Sequence, residues 1–280
     1  MTMPGPNMEQ SIALAARMVA DADAIVVAAG AGMGVDSGLP DFRGKSGFWK
    51  AYPALAAAGV DFQAAASADS FVRAPSRAWG FYGHRLALYR RTVPHPGFAL
   101  LRKWAASKPH GYTVFTSNVD GQFQAAGFDP LRVHECHGSI HHLQCSKPCS
   151  EAIWRADAFV PAVDEQACRL VGEAPACPRC GAVARPNILM FGDWNWVDGR
   201  TGGQEIRQQH WLEGVRRPVV IEIGAGNAIP TVRHFSNRVL RQHGGRLVRI
   251  NLRESRVERA QDVGLACTGL AALEAIDKLM

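Results

Sequence analysis

The sequence predicts an α/β fold: a doubly wound, mostly parallel, Rossmann-like sheet with a smaller inserted zinc-binding and helical lobe. Three observations predict it. Short β-branched runs are continuous rather than alternating, which suits strands buried on both faces of a parallel sheet. Stretches with helical spacing lie between those runs, as a doubly wound sheet requires. Two segments break the alternation, and one of them holds five of the seven cysteines.

The 280 residues, 47% hydrophobic and 20% charged, exclude a disordered tail and a disulfide-stapled miniprotein. A helix is expected through Ile12, Ala16 and Val19, which share one face at helical spacing. The first strand follows at Ile25–Val27. Residues 44–85, rich in alanine and aromatics, interrupt the pattern. Helical spacing resumes at Leu86, Leu88 and Tyr89, and a second strand is expected at Thr113–Phe115. Residues 141–185, with the cysteines and several prolines, interrupt again. Further strands are expected at Ile188–Phe191, Val219–Ile223 and Leu247–Ile250. The main domain is therefore expected to comprise 1–43, 86–140 and 186–280. The small lobe, a helical insertion plus a metal module, comprises 44–85 and 141–185.

Small and polar residues follow most of these strands. Gly30-Ala31-Gly32-Met33-Gly34 follows the first, Ser117-Asn118-Val119-Asp120 the second, Gly224-Ala225-Gly226-Asn227 the 219–223 strand, and Asn251-Leu252 the last. In an open α/β sheet these ends line one crevice, where nucleotides bind. Glycines there let backbone N–H groups approach a pyrophosphate. Gly30-x-Gly32 alone is a weak signal. A dehydrogenase fingerprint places its third glycine where Val35 stands and needs a second strand ending in an acid, so hydride transfer is disfavoured.

The stretch Gly30 to Gly44, with Pro40-Asp41-Phe42-Arg43 near its end, resembles the first signature of the sirtuins, NAD-dependent protein deacylases. Thr116-Ser117-Asn118-Val119-Asp120 is similar to their second, and Glu135-Cys136-His137-Gly138-Ser139 to the segment with their catalytic histidine. Arg185-Pro186-Asn187, Phe191-Gly192-Asp193, Gly224-Ala225-Gly226 and Ile250-Asn251-Leu252 follow in the family's order. The resemblance implies NAD as co-substrate, acylated-lysine proteins as substrates, and a reaction that releases nicotinamide and 2′-O-acyl-ADP-ribose. It implies catalytic roles for His137, Asn118 and Asp120. NAD contacts are implied for Gly30, Ala31, Gly32, Asp41, Phe42, Arg43, Ser117, Asn118 and Asp120, and also for Gly224, Ala225, Gly226, Asn251 and Leu252. Phe191 and Gly192 are implied on the substrate side. Ser117, Ala225 and Gly34 depart from residues common in the family.

Residue chemistry agrees. Cleaving the nicotinamide–ribose bond lets an acyl oxygen attack the ribose, and a base must then activate a ribose hydroxyl. An imidazole titrates close to working pH and suits that base. His134 competes with His137 on composition alone, but lacks the following Gly-Ser. Asn118, Asp120, Asp36 and Asp41 also read as helix caps. Tyr82 and Arg85 share a helix face, and the surrounding segment resembles that of sirtuins removing succinyl and malonyl groups. Arginine and a phenol suit a distal carboxylate. An ADP-ribosyltransferase or NAD glycohydrolase on the same fold is the alternative function.

Cys145 and Cys149, then Cys177 and Cys180, make two close-spaced pairs, as opposing knuckles around one structural Zn²⁺ would. Sirtuins carry such a module there, normally with two residues inside each pair; the first pair here has three. Cys168, His141 and His142 are the substitutes should one cysteine not be a ligand, and four unrelated buried thiols are the simpler reading.

The net charge of +6 sits in residues 200–259, with twelve arginines, no lysine and five glutamates. This reads either as a face for an anionic ligand or as solvated surface. No run of adjacent basic residues exceeds two, which disfavours nucleic acid. No apolar run is long enough to span a membrane, and Met1–Gln10 lacks a secretory pattern, so a cytoplasmic location is expected.

Overall fold

A computed structural model describes residues 7–40, 50 and 52–280 of the chain. Strands β1 (Ala24–Ala29), β2 (Tyr112–Thr116) and β3 (Val133–Glu135) come first. They are followed by β4 (Gly138–Cys145), β5 (Trp154–Arg155), β6 (Ala162–Asp164), β7 (Arg169–Val171) and β8 (Ala184–Ile188). The last three are β9 (Pro218–Ile223), β10 (Arg246–Ile250) and β11 (Val263–Leu265). Six of them form a parallel sheet in the order β11-β10-β9-β1-β2-β3. The chain runs outward from β1 through β2 and β3, then returns to β9 on the other side. That reversal opens a crevice at the carboxyl ends of β1 and β9.

The continuous apolar runs arise because the sheet is covered on both faces. Ile25 and Val27 of β1, with Val219, Ile221 and Ile223 of β9, pack into one core. Helices α1 (Met8–Asp21), α3 (Gly97–Ala106) and α6 (Gly269–Asp277) cover it. Val26 and Ala28, with Phe115 and Val220, face the opposite core beneath α4 (Gly199–Glu213) and α5 (Thr231–His243). Period-2 geometry sends neighbours to opposite faces, so each strand needs apolar residues at every position. Helix α1 starts at a capping box, in which Asn7 and Gln10 exchange side-chain bonds with each other's backbone N–H.

A third core belongs to the small lobe. Helix α2 (Pro75–Arg91) contributes Trp79, Phe81, Tyr82, Leu86 and Tyr89, packed on Ile140 and Leu143 of β4 and Ile188 of β8. This helix runs unbroken across residues 85 and 86, where the sequence placed a segment boundary. Strands β5-β4-β8 form an antiparallel sheet, and β6 and β7 a separate hairpin.

The expected strand Ile188–Phe191 is corrected by the structure. The strand is β8, it ends at Ile188, and it pairs antiparallel with β4 outside the main sheet. Leu189, Met190 and Phe191 are apolar because they line the crevice, not because they fill a sheet. Two main-sheet strands, β3 and β11, have three residues each and were not foreseen. Arg249 lies within β10, as the expected strand Leu247–Ile250 places it, and pairs with Glu222 of β9 at 2.5 Å, the two side chains 7% and 1% exposed.

Removing one partner of a buried ion pair leaves an uncompensated charge, at a cost of about 3–5 kcal/mol. Glu222→Ala is expected to lower the unfolding free energy by that order in urea denaturation, while Glu222→Leu with Arg249→Leu recovers most of it. A single-variant loss below about 1 kcal/mol would show that the pair does not anchor β9 to β10.

Candidate active site and metal centre

The crevice is built from two loops that touch. Gly30 N–H donates to the Ile223 carbonyl at 2.9 Å and Gly32 N–H to the Gly224 carbonyl at 3.1 Å. A Cβ on Gly32 would lie 2.5 Å from the Gly224 Cα, so neither position has room for a side chain. Gly224 also sits at φ +65°, the left-handed region that glycine enters freely. The loop after β2 joins them: the Asn118 amide donates to the Gly30 carbonyl at 3.0 Å, and Ser117 N–H to the Ala29 carbonyl at 3.1 Å.

A cleft of about 720 Å³ results. It is lined by Gly30, Ala31, Ser117, Asn118 and Asp120 on one side, and by Gly224, Ala225 and Gly226 on another. His137, Tyr82, Arg85 and Phe191 face the same space. Gly32 packs behind the lining, against Gly224. Asn251 is also behind it: its amide donates to the Ala225 carbonyl at 2.9 Å and so supports the loop. Leu252 is 60% exposed, and neither it nor Gly192 lines the cleft. Asp41, Phe42 and Arg43 lie outside the described residues.

His137 follows β3 at the turn into β4. Its position depends on Gly138, at φ +78°, where a Cβ would lie 2.1 Å from the Asn187 carbonyl oxygen of β8. The Leu189 N–H donates to the His137 carbonyl at 3.0 Å, which ties the turn to the substrate-side wall. Burial holds the His137 imidazole below its ordinary pKa, opposed by a bond with the Ser117 backbone. A neutral imidazole is the form a base requires. His134 is buried on the other face of the sheet, with Nδ1 3.0 Å from the Gln208 amide oxygen and its ring edge-on to Phe115.

Asp120 is buried, and burial raises its pKa to about 6, with Glu135 adding to the rise and Arg85 and the Gln122 N–H opposing it. That N–H donates to Oδ1 at 2.9 Å, so Asp120 holds the first backbone N–H of a short helix, whose N-cap position is Gly121, and also faces the cleft. Asp36 caps from a distance, accepting the Leu270 N–H of α6 at 2.7 Å.

On the opposite wall, Arg85 of α2 is only 8% exposed. Its Nε donates to the Tyr89 hydroxyl at 3.0 Å, and its guanidinium lies 5.2–5.5 Å from the Phe81, Tyr82 and Tyr89 rings. Burial works against its charge, but the surrounding tyrosines outweigh burial and raise its pKa. Burial likewise drives the Tyr82 hydroxyl up to about 12. Tyr82 and Arg85 thus present a phenol and a cation to one apolar wall. Sequence reasoning missed Tyr89, Phe62 and Glu254, which also line the cleft. Tyr89 lies four residues beyond Arg85, the spacing that signals a shared face.

The cysteines meet at the far end of the β4–β8 ladder. The Cys145, Cys149, Cys177 and Cys180 sulfurs all lie within 4.8 Å of one another. Cys145 and Cys180 are 3.6 Å apart, and Cys149 and Cys177 3.7 Å. A tetrahedron of Zn–S bonds of ~2.3 Å has sulfurs about 3.8 Å apart, so the four thiols fit one zinc ion. The three residues inside the first pair do not prevent this. His141, His142 and Cys168 stay outside the group; the His141 Nε2 instead meets the Asp120 carbonyl at 2.9 Å. It is the one such cluster among the described residues. With four thiolates and no open position, a bound zinc would hold the lobe together rather than act on substrate.

Residues 30–209 match the family model of the Sir2 family. An NAD-dependent protein deacylase of Methylococcus capsulatus is 36% identical over 175 residues, spanning 62% of this chain and 62% of that relative. A protein of the same name from Thermococcus kodakarensis is 28% identical over 89% of this chain and 88% of its own length. Among solved structures, a Sir2 homologue in complex with NAD superposes with a TM-score of 0.72 at 21% identity, covering 99% of this chain and 96% of the other. A Sir2 complex with a p53 peptide and NAD gives 0.68 at 21%, covering 94% and 95%.

Metal removal tests the sulfur cluster. Purified protein is expected to contain one zinc per chain by elemental analysis, and Cys177→Ser to lose it. Chelation is expected to lower the melting temperature and release β4 from β8. Full-length protein with no bound metal and an unchanged melting temperature would return the cysteines to four independent thiols.

Proposed function

The chain belongs to the Sir2 family, and on that premise we propose that it is an NAD-dependent protein lysine deacylase with His137 as its base. The observation that carries this reading is the convergence of His137, Asn118 and Asp120 on one cleft beneath the two glycine loops. NAD supplies an electrophilic ribose carbon once nicotinamide departs, and the chain's own residues do the rest. The loops at Gly30 and Gly224 admit backbone close to a pyrophosphate, because no Cβ intervenes. Asn118 is braced by its bond to the Gly30 carbonyl. Asp120, when ionised, accepts from the nicotinamide amide. The acyl-lysine enters past Phe191, and its carbonyl oxygen attacks the ribose. His137, neutral because burial lowers its pKa, takes the proton of a ribose hydroxyl, which then attacks the acyl carbon. The lysine amine then leaves the acyl carbon, a water molecule adds to the acyl-bridged ribose that remains, and the products are nicotinamide, 2′-O-acyl-ADP-ribose and free lysine.

Arg85 and Tyr82 give the far wall a preference for acyl chains ending in a carboxylate. A guanidinium bonds a carboxylate with charge-assisted, geometrically fixed contacts, and its partly apolar setting strengthens them. Acetyl-lysine has no such group to offer.

Mass spectrometry with NAD and matched acetyl- and succinyl-lysine peptides tests both readings. The expected product is acyl-ADP-ribose; ADP-ribose alone, or an ADP-ribosylated peptide, would replace deacylation by glycohydrolysis or transfer. His137→Ala is expected to lower kcat by about 10²–10⁴-fold. Arg85→Met should depress desuccinylation far more than deacetylation, and equal losses would remove the acyl assignment.

The acid side has a definite sign. Ionised Asp120 is the stronger acceptor for the amide, and its pKa is raised to about 6, so NAD binding measured by calorimetry should weaken as pH falls through about 6. Asp120→Asn is expected to flatten that dependence. An unchanged acid limb in the variant would show that Asp120 is not the group.

A further inference from the structure

The deacylation reading gives Tyr82 and Arg85 a task, but not Tyr89, the third residue of the same row. All three line the cleft from helix α2, and all three are buried, Arg85 at 8% and Tyr89 at 7% exposed. Spacings of three and four residues put Phe81, Tyr82, Arg85 and Tyr89 on one stretch of the helix surface. Helical side chains lean toward the helix N-terminus, so Arg85 leans over Phe81 and Tyr82, and Tyr89 leans back over Arg85. The distances agree. The guanidinium carbon stands 5.2 Å from the Phe81 ring centre, 5.5 Å from that of Tyr82 and 5.4 Å from that of Tyr89. The Tyr89 hydroxyl accepts the Arg85 Nε–H at 3.0 Å.

The helix is pinned by its other neighbours. A Cβ on Gly80 would lie 2.2 Å from the Cys168 carbonyl oxygen, and one on Gly83 2.8 Å from the Pro161 Cβ, so the helix backbone presses on the β6–β7 hairpin at both glycines. Trp79 Nε1 donates to the Ala184 carbonyl of β8 at 2.9 Å, and the Arg90 guanidinium to the Phe159 and Ala156 carbonyls, each at 2.7 Å. These contacts fix which way the row faces, but they do not fix the end of a long, flexible arginine. Tyr89 does that, because a buried ring offers its hydroxyl at one point. Burial also keeps that hydroxyl protonated and neutral beside the cation. A guanidinium can bind a carboxylate through two parallel bonds, either from Nε and one Nη or from both Nη atoms. With Nε committed to Tyr89, a carboxylate is met by the Nη end.

We propose that Tyr89 is the positioning residue of the acyl pocket: it holds Arg85 by Nε, so that the Nη end of the guanidinium meets the distal carboxylate of a dicarboxylic acyl-lysine. This rests on the reading of Arg85 given above, and it names the group that makes a flexible cation geometrically selective. Without the hydroxyl, the guanidinium samples other rotamers, and the substrate must order it on binding. The penalty therefore falls on affinity for acyl chains that reach Arg85, and acetyl-lysine carries no carboxylate to register it.

The test combines steady-state kinetics at saturating NAD, using matched acetyl- and succinyl-lysine peptides, with ¹⁵N NMR of the Arg85 Nε–H in the ligand-free protein. Tyr89→Phe keeps the ring and removes the acceptor. It is expected to raise KM for the succinyl peptide about 10-fold, to change kcat and the acetyl KM far less, and to speed Nε–H exchange. Tyr89→Phe with Arg85→Met is expected to match Arg85→Met alone on both peptides, because Tyr89 acts through Arg85. That double variant strands no cation, so it tests the coupling even if Tyr89→Phe fails to fold; a further loss of desuccinylation in it overturns the inference. A merely structural role would lower kcat and raise both KM values together, and that outcome overturns it too. Equal losses of both activities in Arg85→Met would remove the underlying reading of Arg85 instead. Unaltered Nε–H exchange in Tyr89→Phe would show that Tyr89 does not hold Arg85, whichever acyl group the cleft takes.

Discussion

Two backbone loops nest in this molecule because neither carries a side chain where they meet. The loop after β1 and the loop after β9 approach until a Cβ on Gly32 would lie 2.5 Å from the Gly224 Cα. That contact places the carboxyl ends of two adjacent parallel strands at one depth, and the crevice opens beside it. Asn118 then ties the loop after β2 to Gly30, and Asn251 ties the loop after β10 to Ala225. Four strand ends therefore share one small framework of backbone bonds. An alanine at Gly32 would push against backbone rather than a flexible side chain, and every group hung on that framework would move.

The small lobe supplies the other wall, and its cohesion comes from two different sources. Aromatic side chains of α2 bury themselves against β4 and β8, a contribution roughly proportional to apolar area. At the far end of the same ladder, four sulfurs stand at the spacing of a tetrahedral metal site. The β4–β8 ladder runs between these two anchors, and His137 and Phe191 flank it at the cleft. Gly138 stands where a Cβ would meet the Asn187 carbonyl of β8, which is why the histidine that faces the cleft is the one followed by glycine.

Charge is used inside the fold more than its surface suggests. Of the arginines that give residues 200–259 their positive balance, Arg249 is buried against Glu222, and Arg233 bonds the Ala225 carbonyl at 3.0 Å. These support the strand and loop that frame the cleft, so the balance is not wholly a solvated surface. Arg185 pairs with Asp193 at 2.8 Å, both almost wholly buried, and anchors the segment that leaves the cleft at Phe191. Burial also separates the two titrating groups of the site, lowering the His137 pKa while raising that of Asp120 to about 6. Desolvation disfavours whichever form is charged, so one physical cause moves a base and an acid in opposite directions.

The sequence by itself determined the four longer strands of the parallel sheet, the glycines at their ends and the paired cysteines. Each is a local consequence of burial on two faces, of absent side chains, or of ligand spacing, and each leaves a pattern along the chain. The Gly-Ser after His137 also distinguished it from His134, since His137 stands at a turn that needs a left-handed residue and His134 lies inside β3. The tertiary structure alone decided what lay across the chain. It assigned Leu189–Phe191 to a cleft wall instead of a strand, because an apolar run looks the same whether it fills a sheet or lines a pocket. It recruited β3 and β11, whose three residues carry too little periodicity to read, and paired Arg249 with Glu222, 27 residues earlier. It also set His141 against the Asp120 carbonyl, because neighbours across the chain are chosen by folding and not by order along it.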